Sequence, residues 1–268
     1  MFDIGYLYME KLLYFQENAF ELYQGNCLDI LPKIEEKSVD LIFADPPYFL
    51  SNGGITCKAG KMVSVNKGKW DKSNGFDKDY RFNLAWISAC RRVLKDDGTI
   101  WISGTFHNIY KIGFALEKLD FEILNEISWF KPNAPPNLSC RYFAHSHETL
   151  LWAKKSKKSK HKFNYELMKN WDVKKDKINY PGKQMRSVWS ISLTPPNEKF
   201  EGGHPTQKPI ELLKRIIVSS SNEGDTVLDP FNGSGTTGIV SKMMRRKYIG
   251  IDKDKVFLDM TLKRWKQS

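Results

Sequence analysis

The stretch that decides the fold is Val39-Asp40-Leu41-Ile42-Phe43-Ala44-Asp45-Pro46-Pro47-Tyr48. Its first six residues are mostly apolar, β-branched or aromatic, which is typical of a short buried strand. A carboxylate, two prolines and an aromatic ring follow directly. Because proline fixes φ and removes a backbone donor, carbonyls in this turn can accept hydrogen bonds from a ligand. Ligands of open α/β sheets bind beyond the carboxyl ends of the strands, so Asp45 is expected in a binding site. The alternative is a strand-to-loop turn in which the aspartate acts only as a cap.

The composition indicates one globular domain, residues 1–268, with a polyanionic partner. Hydrophobic residues make up 41% of the 268 residues and charged residues 27%, which is ordinary for a globular protein. The net charge of +11 favours nucleic acid as the partner. The four cysteines lack metal-ligand spacing, and a chain this long with so few is expected in a reducing cytoplasm. The amino-terminal residues have no long apolar run, so neither a signal peptide nor a membrane partner is expected.

The positive charge is concentrated in one quarter of the chain. Residues 131–200 carry fifteen lysines and arginines against five acidic residues, whereas the remainder carries twenty-seven against twenty-six. This concentration predicts an inserted basic region, assigned to residues 131–203, that faces a nucleic acid. Its densest run, 154–162, is expected to combine a solvated face with phosphate contacts.

Apolar patterning predicts a mostly parallel sheet of seven strands flanked by helices. The strands are expected at residues 20–24, 39–44, 99–103, 123–130, 148–153, 224–228 and 248–252, and the helices at 28–34, 80–94, 109–119, 210–221, 239–244 and 256–265. The glycine- and lysine-rich segment 49–79 is predicted to be a mobile loop. Its Trp70 either stacks on a base or folds back onto the core, and both uses stay open.

A glycine-rich turn follows the strand predicted at residues 224–228. It comprises Asp229-Pro230-Phe231-Asn232-Gly233-Ser234-Gly235-Thr236-Thr237-Gly238, and Asp252 follows Gly233 by 19 residues. This spacing matches a dinucleotide fold, in which glycines let the backbone approach a nucleoside ligand and the acid binds ribose hydroxyls. Two features argue against NAD. Asp229 suits a cationic ligand end rather than a pyrophosphate, and Asp45 has no role in hydride transfer.

Both motifs resemble those of the amino-group DNA methyltransferases that use S-adenosylmethionine (SAM). The tetrapeptide 45–48 is similar to their catalytic motif, the turn 229–237 to their Asp-Pro-Phe-x-Gly-x-Gly-Thr-Thr motif, and 204–209 to their His-Pro-Thr-x-Lys-Pro motif. The motif order resembles the β group. The resemblance implies a circularly permuted, Rossmann-like methyltransferase fold, in which strand 20–24 completes the sheet. Segments 104–110, 129–137 and 141–155 resemble the adenine-specific branch, in particular the second methyltransferases of DpnII-type restriction systems.

The resemblance also implies roles for individual residues. The catalytic residues would be Asp45, Pro46, Pro47 and Tyr48. The SAM-binding residues would be Asn26, Cys27, Asp45, Thr206, Lys208, Asp229, Phe231, Asn232, Gly233, Ser234, Gly235, Thr236, Thr237 and Asp252. The implied reaction is N6-methylation of a flipped adenine in GATC, in double- or single-stranded DNA, within a restriction-modification system and by a homodimer.

Other functions remain open at this stage. Cytosine N4-methylation uses nearly the same chemistry, although aspartate rather than serine at position 45 favours adenine. A non-catalytic nucleic-acid-binding module could keep the same fold. Cytosine C5-methylation is disfavoured because it usually needs a cysteine after a proline, and none of the four cysteines has one.

Overall fold

The computed structural model describes residues 11–51, 55–58, 61–64, 68, 71–137, 139–172, 176, 178–199 and 206–268. Its strands are β1 Leu13–Glu17, β2 Phe20–Gln24, β3 Val39–Ala44, β4 Ile55–Lys58, β5 Lys61–Ser64, β6 Leu94–Gly104, β7 Glu122–Phe130, β8 His147–Lys154, β9 Val188–Ser190, β10 Thr226–Asp229 and β11 Lys247–Asp252. Its helices are α1 Cys27–Ile30, α2 Phe76–Val93, α3 Ile109–Lys118, α4 Tyr165–Lys169, α5 Ile210–Ser220, α6 Thr236–Met243 and α7 Lys255–Gln267. Within these described ranges, no helix is both long and apolar enough to cross a membrane.

Nine strands form one mixed sheet in the order β1-β2-β11-β10-β3-β6-β8-β7-β9. The five neighbouring strands β2, β11, β10, β3 and β6 are parallel to one another, and β9 is parallel to β7. β1 runs antiparallel to β2, and β8 runs antiparallel to both β6 and β7. All seven predicted strands are present, but the predicted strand number is wrong because β1 and β9 extend the two edges. β1 carries polar residues that mask its pattern, and β9 has only three residues, too few to show a periodicity.

The strand predicted at 99–103 begins earlier than expected, because β6 starts at Leu94; a register irregularity between Val39 and Leu41 of β3 accommodates the additional residues. Within the segment 49–79, β4 and β5 form an antiparallel hairpin and α2 begins at Phe76; the mobility of this segment stays a prediction. Trp70 and His204 lie outside the described residues.

Helices cover both faces of the central strands, which is why β3 is apolar except for Asp40 and every one of its residues is buried. One face packs on α2 and α3 through residues such as Trp86 and Ile112. The other packs on α5, α6 and α7 around stacked tryptophans; the Trp101 and Trp152 ring centroids are 5.0 Å apart.

The order of the central strands positions the functional site. β3 and β10 are parallel neighbours, with Leu41 opposite Val227 and Ile42 opposite Leu228. Their carboxyl ends therefore lie side by side at the same end of the sheet, about 4.8 Å apart in the hydrogen-bonding direction. Asp45 follows one end and Asp229 closes the other, so the two predicted motifs meet although they are far apart in sequence.

Much of the basic run 154–162 lies at the amino ends of the parallel strands, opposite to the functional site. Lys155 is buried and donates to the Leu94 carbonyl at 2.6 Å, where β6 begins. Lys162 pairs with Asp40 at 3.1 Å, near the start of β3. Asp40 is roughly 16 Å from Asp45 along that strand. These lysines hold the fold, so the predicted phosphate contacts do not apply to them.

Two tryptophans of the basic region, Trp171 and Trp189, contact side chains of α5. Trp189 is buried, and its ring lies 5.7 Å from the Arg215 guanidinium. Arg215 in turn forms a buried ion pair with Asp176 at 2.6 Å. The Trp171 indole N–H donates to Glu211 at 2.9 Å. The region is thereby anchored to α5.

Candidate functional site

Both carboxylate oxygens of Asp45 are held in place at the end of β3. Oδ1 accepts hydrogen bonds from the Ser103 hydroxyl at 2.5 Å and the Tyr48 hydroxyl at 2.7 Å. Oδ2 pairs with the Lys208 ammonium at 2.6 Å. Ser103 comes from the neighbouring strand β6, and Lys208 lies two residues before α5. Three separate elements therefore fix the orientation of one carboxylate.

Glu148 is a second, largely buried carboxylate, and it lies beside Tyr48 and Lys208. Its Oε2 lies 3.0 Å from the Tyr48 hydroxyl and 3.7 Å from the Lys208 ammonium, and its Oε1 pairs with Lys131 at 2.5 Å. Burial acts to raise the pKa of Glu148, but the two ammonium groups outweigh it and keep the pKa below its usual value. Burial and the nearby carboxylates raise the pKa of Tyr48 well above its usual value, so its hydroxyl stays protonated.

Asp71 holds the turn after Asp45 through four hydrogen bonds. One carboxylate oxygen of Asp71 accepts from the backbone N–H groups of Tyr48 and Phe49 at 2.9 and 2.8 Å. The other accepts from the Leu50 N–H at 3.1 Å and the Ser51 hydroxyl at 3.0 Å. These bonds hold Phe49 in the left-handed region, at a φ of +60°.

The other side of this turn is held by the start of α3. The Asn108 amide donates to the Pro47 carbonyl at 2.9 Å and is itself oriented by Asn83 at 2.7 Å. The catalytic turn is thus fixed from two directions.

The glycine turn encloses a buried carboxylate without a cation. Asp229 accepts from the Phe231 N–H at 3.0 Å and the Thr237 hydroxyl at 2.6 Å. Burial raises its pKa to about 7, and the Asp45 and Asp252 charges act in the same direction. Among the described residues, no lysine or arginine pairs with it.

Backbone geometry explains the glycines. Gly235 has a φ of +72°, and a Cβ there would come within 2.4 Å of the Thr261 side chain. Gly233 donates its N–H to Asp252 at 2.7 Å, which ties the turn to the end of β11. Only glycine combines that φ with that close approach at position 235.

A single cavity of about 410 Å³ joins the two motifs. The predicted site residues that line it are Asn26, Cys27, Asp45, Pro47, Thr206, Lys208, Asp229, Phe231, Asn232, Gly233, Ser234, Thr236, Thr237 and Asp252. Pro46, Tyr48 and Gly235 are absent from its lining. Pro46 and Tyr48 are buried beside Asp45. Burial raises the pKa of the Cys27 thiol to about 12, so this cysteine is neutral and cannot serve as a nucleophile.

A sequence model of the DNA methylase family, N6/N4 type, matches residues 39–263. The chain belongs to the N6/N4 DNA methylase family. This methylase is 53% identical to the type II methyltransferase M2.LlaDCHI of Lactococcus lactis subsp. cremoris, over 98% of this chain and 95% of that protein. It is 52% identical to M2.DpnII of Streptococcus pneumoniae, over 94% and 91% of the two chains. The crystal structure of an M1.HpyAVI–SAM complex superposes with a TM-score of 0.66 at 28% identity, covering 91% of this chain and 98% of that one.

The methylase is therefore a SAM-dependent DNA methyltransferase of the kind found in type II restriction-modification systems. Its cavity fits that methyl donor. SAM carries an ammonium group, a ribose diol and a cationic sulfonium, and the cavity offers the carboxylates of Asp229 and Asp252; no lysine or arginine of the described ranges pairs with either. Apolar groups such as Phe231 and Ile251 complete the lining. A NAD site and a non-catalytic module are both excluded by the family.

The sequence did not point to several residues that hold the catalytic turn. Ser103 ends a predicted strand, and its place at a carboxyl end was the available signal. No sequence signal indicated a role for Glu148, Lys131, Asn108 or Asp71, because their contacts depend on the lateral order of the strands. His107 is an exposed loop residue whose Nδ1 lies 3.2 Å from the Thr105 hydroxyl.

Proposed function

We propose that the methylase transfers a methyl group from SAM to the N6 amine of an adenine that has left the DNA helix. The observation that carries the proposal is the shared cavity, in which Asp45 lies opposite the turn that includes Phe231 and Gly233. An amine held by Asp45 would therefore face a ligand bound along that turn. Extrusion is required because the N6 position is not accessible to such a cavity inside a base-paired duplex.

The reaction needs acceptors rather than a nucleophile. The adenine amine is a weak nucleophile because its lone pair is delocalised into the ring. The Asp45 carboxylate would accept one N–H and the Pro46 carbonyl the other, drawing the nitrogen towards tetrahedral geometry. The carboxylate would also stabilise the positive charge that develops on N6. Bound SAM supplies the electrophilic methyl group.

Lys208 must yield its position for this arrangement to form. Its ammonium now bonds the Asp45 oxygen that would accept the amine, and Glu148 lies only 3.7 Å away as an alternative partner. A short displacement towards Glu148 would free Asp45 without leaving a buried cation unpaired. Tyr48, whose ring lies 5.2 Å from this ammonium, would then present its face to the base.

We assign the remaining cavity residues to SAM. Asp229 suits the ammonium end because it is buried and no lysine or arginine among the described residues pairs with it, and Asp252 suits the ribose hydroxyls. Asn26, which caps α1 through the Leu28 N–H at 3.2 Å, would line the adenine side with Cys27. Thr206 and Lys208 would close the cavity near the methyl group.

The architecture we propose is a circularly permuted methyltransferase domain with an inserted target-recognition region at 131–203. The parallel pairing of β2 with β11 supports the permutation, because the chain's early strand takes the place that would follow its last one. The segment 49–79 would act as a mobile loop over the DNA. We further propose a cytoplasmic homodimer that modifies GATC in double- or single-stranded DNA. The 52% identity to M2.DpnII supports this target.

A plasmid from a host without adenine methylation provides the test. After incubation with the methylase and SAM, the plasmid should resist a restriction enzyme that is blocked by adenine methylation in GATC. Nucleoside analysis of the same DNA should show N6-methyladenine. N4-methylcytosine would establish the rival base, and protection at other sites would refute GATC. Omission of SAM serves as the control.

A further inference from the structure

Four exposed aromatic rings form a cluster on the surface of the methylase. Phe106 is 49% exposed and Tyr142 61% exposed, and both histidines of the cluster, His107 and His145, are exposed as well. The Phe106 centroid lies 3.8 Å from that of His107 and 5.0 Å from that of His145, and the His145 and Tyr142 centroids are 5.5 Å apart. We call these four residues the ring cluster.

The ring cluster lies on two loops whose ends contact the catalytic turn. The first loop follows Ser103, which bonds Asp45 at 2.5 Å, and ends at Asn108, which bonds Pro47 at 2.9 Å. Phe106 is three residues from Ser103, and therefore within roughly 10 Å of it.

The second loop runs from Lys131 to the start of β8. The Lys131 N–H donates to the Ser146 carbonyl at 2.7 Å, which closes the loop, and its side chain pairs with Glu148 at 2.5 Å. Glu148 also contacts the Tyr48 hydroxyl at 3.0 Å. The ends of both loops are therefore tied to the catalytic turn, and their rings contact one another.

The chemistry of the two loops favours a nucleic-acid ligand. Neither residues 104–110 nor residues 131–147 include an acidic residue, whereas Lys131 and Arg141 supply positive charge. Burial and the neighbouring His145 lower the pKa of His107, so its ring is neutral at pH 8. Exposed aromatic rings beside a cation such as Arg141 are the groups that single-strand binders use to stack on bases.

We propose that the ring cluster is a stacking site for an unpaired DNA base that neighbours the flipped adenine. The inference rests on the proposed function, because it takes the target strand to enter the cavity at Asp45. Flipping the target removes a stacking partner from the adjacent base, and the ring cluster would replace that partner. It would therefore contribute to binding wherever the strand is unpaired.

The test compares Phe106→Ala and Tyr142→Ala with Phe114→Ala. Phe114 is 61% exposed on α3 and lies against Tyr80, outside the ring cluster, so it provides a matched control. The probe is a single-stranded GATC oligonucleotide with 2-aminopurine beside the target adenine. Loss of one stacked ring should raise the Kd for this strand roughly 5- to 150-fold, the equivalent of about 1–3 kcal/mol. The fluorescence of the bound 2-aminopurine should no longer be quenched in the two alanine variants of the ring cluster. Phe106→Trp, in contrast to Phe106→Ala, should bind the strand as tightly as the parent.

Several results would overturn the inference. The Kd in Phe106→Ala and Tyr142→Ala could stay within twofold of the parent value, or Phe114→Ala could lose as much affinity as they do. SAM affinity, measured on every variant, reports folding independently. If the parent methylates DNA while the ring variants bind the strand normally, the stacking site is refuted and the proposed function stands. If the parent binds the strand through these rings but transfers no methyl group to adenine, the proposed function fails alone.

Discussion

Asp229→Asn should stabilise the ligand-free methylase and weaken its binding of SAM. Burial raises the pKa of Asp229 from 3.8 to about 7 in the folded protein. Between these values the unfolded chain has lost the proton that the folded protein keeps, so rising pH favours unfolding. The penalty is absent well below pH 4 and complete above pH 7. Three pKa units correspond to about 4 kcal/mol at pH 8, and about 2 kcal/mol remains at pH 5.

Asparagine preserves the shape of the side chain while removing its charge. The amide oxygen can accept from the Phe231 N–H, and the Thr237 hydroxyl can turn to accept from the amide nitrogen. The free energy of unfolding in urea should therefore rise by up to about 4 kcal/mol at pH 8 and by about half of that at pH 5. Asp97→Asn, at an exposed carboxylate in β6, should change neither value and serves as the control.

Calorimetric titration of the same variants measures the functional cost. SAM should bind Asp229→Asn roughly 30-fold or more weakly, because a neutral amide cannot balance the ligand's ammonium group. The reasoning would be refuted if the variant gained no more stability at pH 8 than at pH 5. Unchanged SAM affinity would refute the assignment of Asp229 to the ammonium end.

Three further substitutions test the groups around the cavity. Glu148→Gln removes the charge that balances two buried lysines, so kcat should fall roughly tenfold with the KM for SAM unchanged; an unaltered kcat would contradict this. Asp71→Asn should lower the free energy of unfolding in urea by about 1–3 kcal/mol, because an amide cannot accept all four hydrogen bonds of the catalytic turn. An unchanged free energy of unfolding would contradict this role of Asp71. Gly235→Ala should abolish measurable SAM binding in calorimetry. Gly182→Ala, with a similar φ of +78° but open space around the new Cβ, should bind SAM normally, and equal losses would show that Gly235 is not required by close approach.

The two motifs could be predicted because each follows a strong local signal. β3 is a mostly apolar strand that ends just before Asp45, and β10 enters a turn whose glycine spacing is typical of nucleoside-binding turns. A carboxyl end of a parallel strand is a binding position wherever the strand lies in the sheet. The positions of Asp45 and of the glycine turn therefore followed from local sequence, whereas the resemblance to the methyltransferase family supplied the other lining residues, such as Asn26, Thr206 and Lys208.

The rest depends on which strands are neighbours. Ser103 reaches Asp45 only because β6 lies beside β3, and Glu148 reaches Tyr48 only because β8 lies beyond β6. No periodicity reports that lateral order. For the same reason, the use of Lys155 could not be predicted, since it depends on which end of the sheet the basic run occupies.

The central claim is that Asp45 acts on the acceptor base while the glycine turn holds SAM in the same cavity. Single-turnover transfer of labelled methyl groups to a GATC duplex by Asp45→Ala, with its SAM affinity measured alongside, tests this most directly. We predict that the Kd for SAM stays within about threefold while transfer falls by a factor of about 100–1,000 or more. Transfer at the parent rate by Asp45→Ala would contradict the account.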